Sequence, residues 1–149
     1  MFNKIMFATD LSDRSLKALR YAVDLAKSYD AEITMLHVVS EFMNKDEMVM
    51  LRVSPQHFRE AQKQIAVSAK EIMEEELKRI GATKVKHKLI LREGKPSREI
   101  INTANELEMD LLVITTLGRT GIDEKLVGST AEHIVRYCKI PVLTVPCKE

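Results

Sequence analysis

The sequence lacks the residue patterns that mark several common protein classes. It has only two cysteines, Cys138 and Cys147, and their spacing is not that of a metal-binding pair. We therefore expect two free thiols in a reducing cytoplasm. No apolar run is long enough to span a membrane, and a strand pattern begins within the first five residues. We accordingly expect neither a membrane segment nor a signal peptide.

An excess of either charge is also absent. Lysine and arginine number 23 against 22 acidic residues, which gives a net charge of +1. This balance supplies no broad positive surface for nucleic acid or an anionic membrane, so we expect neither as a partner. The net charge is still compatible with a local basic patch. The length of 149 residues, with 45% hydrophobic content, predicts a single domain over residues 1–149.

Several nucleotide-binding and catalytic motifs are missing. The sequence contains no Gly-x-Gly-x-x-Gly, no Gly-x4-Gly-Lys-Ser/Thr and no Gly-x-Ser-x-Gly. These absences argue against a standard dinucleotide site, a P-loop nucleoside triphosphatase and a nucleophile-elbow hydrolase. No histidine and cysteine cluster indicates zinc, and no general base for phosphoryl transfer is evident. Any nucleotide chemistry is therefore expected to be binding, with hydrolysis slow or absent.

Strand and helix patterns alternate along the chain. The strand patterns cover residues 4–9, 32–39, 84–91, 111–114 and 142–145. Between them, helical patterns run from Ser12 or Asp13 to Tyr29, from Ser54-Pro55 to Gly81, from Pro96 to Leu107, and from Ser129 to Cys138. This alternation predicts an α/β fold: a doubly wound, open five-stranded parallel sheet with helices on both faces, Rossmann-like in type.

Three other features receive structural interpretations. Residues 40–53 mix charges with methionines, and could form a short helix packed on the core, a flap or a partner surface, of which we favour the helix. The acidic run from Glu74 to Glu76 is interpreted as a solvated helix face. His37, which has no partner at ligand spacing, is expected to pack and hydrogen-bond within the fold.

Residues 110–146 combine a buried strand, a segment with three glycines and a helix that begins near Ser129 and Thr130. Helix N-termini favour phosphate, and glycines allow the backbone to approach a ligand, so this layout suits an anion site. The alternative is simply a capped helix after a loop. Asp10 lies at the carboxyl end of the first strand, where open sheets bind ligands, although it could equally serve as a turn or cap residue.

The spacing of this loop resembles that of the universal stress protein family. The family motif is Gly-x2-Gly-x9-Gly-Ser/Thr. In this sequence Gly118 and Gly128 match its second and third glycines, Ser129 follows Gly128, and Thr115 replaces the first glycine. The opening Ala8-Thr9-Asp10-Leu11-Ser12 is also similar to the family's first strand and turn. With right-handed crossovers, the resemblance implies strand order 3-2-1-4-5 and one crevice shared by Asp10 and the loop.

The resemblance further implies an ATP-binding or adenine-nucleotide-binding protein that acts as a switch or adaptor in the stress response. Adenine would lie near Asp10 and Val38, and Mg²⁺ would be held mostly by water and phosphate oxygens. The cofactor-binding residues implied are Ala8, Thr9, Asp10, Val38, Ile114, Thr115, Gly118, Arg119, Gly128, Ser129 and Thr130. A homodimer through Val142–Val145 and an unnamed protein partner are also implied.

Two alternatives stay open. A dimeric interaction module that binds no nucleotide is one, because Thr115 carries a Cβ where the family's ATP-binding members have glycine. An enzyme of the related ATP-pyrophosphatase type is the other. It is weaker, because its phosphate loop would follow the first strand, and Ala8 to Ser12 contain no glycine.

Overall fold

The computed structural model describes residues 1–40, 45–116 and 127–147. The strands are β1 Lys4–Thr9, β2 Glu32–Val39, β3 His87–Glu93, β4 Leu111–Thr115 and β5 Val142–Val145. The helices are α1 Asp13–Leu16, α2 Leu19–Tyr29, α3 Lys45–Met50, α4 Pro55–Arg79, α5 Pro96–Glu106 and α6 Ser129–Tyr137.

The five strands form one sheet in the order β3-β2-β1-β4-β5, and every pairing is parallel. This confirms the predicted fold class and strand order. The central strand β1 pairs on both sides, with Phe7 opposite Met35 of β2 and Val113 of β4. Since the chain reverses its winding direction at β1, the carboxyl ends of β1 and β4 form the topological switch point.

Each face of the sheet has its own apolar core. On one face, Ile5 and Phe7 of β1 pack with residues of α2 and α4. On the other face, Met6 and Ala8 pack with residues of α5 and α6. The alternation follows from the two-residue period of a strand, and burial on both faces explains why β1 is almost wholly apolar.

The sequence predicted one continuous helix in the first helical segment, but the structure has two, α1 and α2. Around Ala18 the backbone forms i→i+3 hydrogen bonds, from Ala18 N to Ser15 O at 3.1 Å and from Tyr21 N to Ala18 O at 3.1 Å. This tighter winding places Leu16 and Leu19, which are three residues apart, together against the core.

β3 starts and ends later than the predicted residues 84–91. Val85 N donates to Ala82 O at 3.1 Å, so the residues before His87 belong to a turn. β3 lies at a sheet edge, as expected. Lys86, just before β3, and Lys88, within it, approach Glu32 of β2 at 3.4 and 2.6 Å. The hydrogen bond from Lys88 lowers the pKa of Glu32.

Of the two interpretations of helical surfaces, one was wrong in part and the other was wrong. Glu74 and Glu75 are exposed, as expected, but Glu76 is only 9% exposed and accepts a 2.9 Å hydrogen bond from Arg79 Nε. α3 exists within residues 40–53, but none of its residues is buried, and Met50 is 76% exposed. It therefore does not pack on the core.

No helix in the described ranges is both long and apolar enough to cross a membrane. The longest, α4, begins as predicted, with Ser54 accepting a hydrogen bond from His57 N and Pro55 in the first turn. Its first half is mostly polar and half-buried or exposed.

Candidate functional site

The carboxyl ends of β1, β2 and β4 meet α6 around a cavity of about 340 Å³. Every predicted site residue that the structure describes lies in its lining: Ala8, Thr9, Asp10, Val38, Ile114, Thr115, Gly128, Ser129 and Thr130. The remaining two, Gly118 and Arg119, lie outside the described residues. The strand order thus brings together residues that are more than 100 positions apart in sequence, because β1 and β4 are neighbours.

The N-terminus of α6 opens into this cavity. The N-cap position is Gly128, and no side chain caps the helix. The first helical hydrogen bond runs from Glu132 N to Gly128 O at 2.9 Å. The backbone N–H groups of Ser129, Thr130 and Ala131 therefore have no partner inside the helix, and all three residues line the cavity. This arrangement can hold an anion through backbone donors and the helix dipole.

Backbone hydrogen bonds fix this helix end to the sheet. Gly128 N donates to Thr116 O at 2.7 Å, and Thr116 N donates to Val145 O at 3.1 Å. Thr115 ends β4 opposite Val145 and is half-buried in the cavity wall. The N-terminal end of α6 is consequently held at the end of β4 by main-chain hydrogen bonds.

Asp10 serves as a turn residue, which is one of the two roles that its sequence position suggested, and it also lines the cavity. Its Oδ1 accepts hydrogen bonds from the backbone N and the hydroxyl of Ser12, at 2.9 and 2.5 Å, which forms a tight turn. Inside this turn Leu11 has a φ of +66°, and Ser12 caps α1 by accepting from Ser15 N at 3.2 Å. Because Asp10 also lines the cavity, the turn holds its carboxylate at the ligand-accessible edge.

The sequence did not indicate several residues of the lining. They are Ser15, Leu36, Ser40, Pro96, Ile100, Thr116, Ala131 and Ile134. The two-residue period of β2 could have found Leu36 and Ser40, because both share the face of Val38. The sequence pattern indicated Pro96 only as the start of a helix. Because α5 starts at the same sheet edge, this first residue reaches the cavity wall.

A second cavity, of about 540 Å³, lies at the same sheet edge on the α4 side. It shares Asp10, Val38, Ser40 and Pro96 with the first, and adds His37 together with residues of α4. His37 Nδ1 lies 2.9 Å from Thr9 O. Since a carbonyl oxygen only accepts, Nδ1 carries the proton in this bond, and His37 makes the internal hydrogen bond that was expected of it.

The described lining offers several groups that can contact a ligand. Across residues 1–40, 45–116 and 127–147 there is no group of three histidine, cysteine or acidic residues that could hold a metal. The cavity offers an apolar wall from Leu36, Ile100 and Ile134, backbone N–H donors at α6 and one carboxylate at Asp10. A ligand with a flat apolar part and an anionic part matches this distribution.

The parallel sheet and the helix terminus at its switch point define a doubly wound α/β protein with a cavity at the strand ends. The sequence model of the universal stress protein family matches residues 1–146. Universal stress protein YxiE of Bacillus subtilis is 33% identical over 147 residues, which cover 97% of this chain and 99% of YxiE. The chain belongs to the universal stress protein family.

Two solved structures with the same fold contain adenine nucleotides. A universal stress protein in complex with cAMP has a TM-score of 0.70 and 22% identity, with coverage of 99% of this chain and 98% of that one. A universal stress protein family protein of Arabidopsis thaliana with AMP bound has a TM-score of 0.61 and 20% identity, with coverage of 96% and 90%.

Proposed function

We propose that this protein binds ATP, or another adenine nucleotide, in the cavity at the ends of β1 and β4. The observation that carries the proposal is the uncapped N-terminus of α6, whose free N–H groups open into a cavity that Asp10 and Val38 also line. The protein would act as a nucleotide-dependent switch or adaptor in the stress response, with hydrolysis slow or absent, because the described lining holds no metal cluster or evident general base.

The lining divides into two halves that match the two halves of a nucleotide. The adenine and ribose would lie beside Val38 and Asp10, and the phosphates would lie on Gly128, Ser129 and Thr130. Gly118 and Arg119 would complete the phosphate end. If Mg²⁺ accompanies ATP, phosphate and water oxygens would supply most of its ligands, so few protein carboxylates are required.

Two observations support this choice of ligand. The cavity volume of about 340 Å³ falls within the usual range of small-molecule sites, about 300–1,000 Å³. Relatives with the same fold bind cAMP and AMP, which share the adenine, the ribose and a phosphate. The proposal also includes a cytoplasmic location, a homodimer through Val142–Val145 and a protein partner not yet identified.

One observation favours a second candidate, an interaction module of the same fold that binds no nucleotide. Thr115 occupies the first glycine position of the family motif and lies in the cavity wall, where its side chain takes space beside the ligand. In that case the fold would be retained, and the cavity would no longer accept ATP.

The first test of nucleotide binding uses the purified protein without any mutation. We would denature it and identify the released small molecules by mass spectrometry, then titrate emptied protein with MgATP by calorimetry. Co-purified adenine nucleotide or a micromolar dissociation constant is the expected result. If the protein releases no nucleotide and MgATP gives no binding heat, the proposal is refuted and the interaction module is favoured.

A charge placed at the α6 N-terminus gives a sharper test. Ser129→Glu should abolish MgATP binding by repelling the phosphates, yet preserve the fold, since Ser129 is exposed and an acidic first turn suits the helix dipole. Gln56→Glu is the matched control, because it adds the same charge to the exposed first turn of α4, remote from the cavity. Equal MgATP affinity of the two variants would show that α6 does not hold the phosphates.

A further inference from the structure

A separate cavity of about 530 Å³ lies where α1 and α2 approach the carboxyl ends of α4 and β5. It shares no lining residue with the two cavities at the strand ends. We call it the basic cavity, because the charged residues in the described part of its lining are Arg14, Lys17, Arg20, Arg79 and one carboxylate, Glu76.

The positive charges of the basic cavity are only partly neutralised. Glu76 is paired with Arg79, and nearby Asp13 also interacts electrostatically with Arg79. The side chains of Lys17 and Arg20, by contrast, make no hydrogen bond or ion pair with any other part of the described chain. Both are exposed. Two full positive charges therefore line this cavity without a counterion among residues 1–40, 45–116 and 127–147.

The grouping of these cations is a product of the local fold. Arg14, Lys17 and Arg20 recur every three residues through the tightened turn between α1 and α2, which keeps them on one side of the chain. Arg79 comes from the last turn of α4, far away in sequence. The net charge of the whole chain is only +1, so the concentration of positive charge at this cavity is local and not a general property of the surface.

The basic cavity also has apolar surface. Leu16, Ile80 and Val145 form part of its wall, and Tyr21 adds an aromatic ring that is 49% exposed. Guanidinium groups pair with phosphate oxygens in a bidentate geometry, and lysine adds a point charge. The cavity thus offers phosphate-binding cations beside a surface on which an apolar or aromatic group can pack.

We infer that the basic cavity is a second binding site, which takes a small phosphorylated molecule with an apolar or aromatic portion. Its limited size and local charge fit a small molecule better than a polymer, because nucleic acids and anionic membranes require a broad positive surface. The site does not depend on nucleotide binding at the α6 N-terminus, since the two share no residue.

The test is a ¹H–¹⁵N NMR titration of the intact protein with phenyl phosphate and, separately, with inorganic phosphate. Both should shift the amide signals of residues 14–21 and of Ile80, with phenyl phosphate binding more tightly because its ring packs on the apolar wall. The double variant Lys17→Gln/Arg20→Gln should weaken phenyl phosphate binding at least fivefold. Both positions are exposed, so this variant should remain folded.

Lys63→Gln/Lys70→Gln is the matched control, because it removes two exposed positive charges from α4 outside the basic cavity. It should change the affinity less than twofold. Equal weakening by both double variants, or shifts confined to Gly128–Ala131, would overturn the inference. A DNA duplex of about 20 base pairs or anionic phosphatidylserine vesicles that bind residues 14–21 more tightly than phenyl phosphate would equally overturn the small-molecule assignment.

Discussion

Asp110 and Lys4 are joined by hydrogen bonds in both directions where β1 and β4 begin. Asp110 Oδ2 accepts from Lys4 N at 2.9 Å, while Asp110 N donates to Lys4 O at 2.9 Å. Asn3 N donates to the same Oδ2 at 2.8 Å. One side chain thus fastens the start of the central strand to its neighbour, and these backbone donors lower the pKa of the Asp110 carboxyl group.

Asp110→Asn should destabilise the protein at neutral pH, by about 1 kcal/mol for charge-assisted bonds near the surface. The pKa of Asp110 is lower in the folded protein than its unfolded value of about 3.9. The stabilisation is therefore fully present above the unfolded pKa, and it is lost as the pH falls through the folded pKa. Urea unfolding at pH 7 and pH 3 should therefore show that the difference in the free energy of unfolding between wild type and variant is smaller at pH 3. A constant difference would exclude the charge as its source.

Two methionines on helices provide a matched test of the core. Met73 of α4 is 0% exposed and Met50 of α3 is 76% exposed. Met73→Ala should lower the free energy of unfolding by about 2–5 kcal/mol through cavity formation, and Met50→Ala by less than about 0.5 kcal/mol. Chemical denaturation of both variants measures this. A large cost at Met50 would mean that α3 packs against something after all.

Thr115→Gly tests whether a Cβ at the end of β4 limits nucleotide binding. We expect wild type and variant both to bind MgATP, with tighter binding by the variant, because its backbone can approach the ligand more closely. The variant should also be less stable, by about 1 kcal/mol, since glycine weakens a strand. Calorimetric titration compares the two affinities. Binding by the variant alone would favour the interaction module for the natural sequence.

The proposed dimer can be tested through the outer edge of β5. The carbonyl groups of Pro141 and Val145 accept from β4, so the alternate backbone N–H groups, those of Val142 and Thr144, face away from the sheet. Thr144→Pro should remove an outward donor and give a monomer in light scattering, whereas Thr144→Val keeps the N–H group and should leave the dimer intact. A wild-type monomer at micromolar concentration, or a dimer in the proline variant, would argue against pairing through β5.

The sheet could be predicted because each strand has a strong local pattern. β1 and β4 are apolar runs between polar turns, and the alternation of helices and strands admits few topologies. The exact ends of the helices and strands were harder to predict from the sequence. The tightening at Ala18 and the late start of β3 depend on tertiary packing and strand register, which are not encoded in a short window of sequence.

The candidate site was predicted where its residues carry a distinctive chemistry. Asp10, Gly128 and Ser129 stand out as an acidic residue, a glycine and a hydroxyl at element boundaries. The wall residues Ile100 and Ile134 could not be told from ordinary core residues, because their side chains are apolar in either role. The basic cavity could not be predicted from the sequence for another reason. Arg79 lies near the other cations only because α4 packs beside α1.

The central position of β1 has a consequence for biosynthesis. β1 is translated before the rest of the sheet, and β2 follows it closely, but β4 is completed only about 100 residues later. At synthesis rates of about 5–20 residues per second, one side of this apolar strand waits for roughly 5–20 seconds without its partner. During that interval the nascent chain carries an unpaired apolar strand edge, a feature that favours aggregation with other chains.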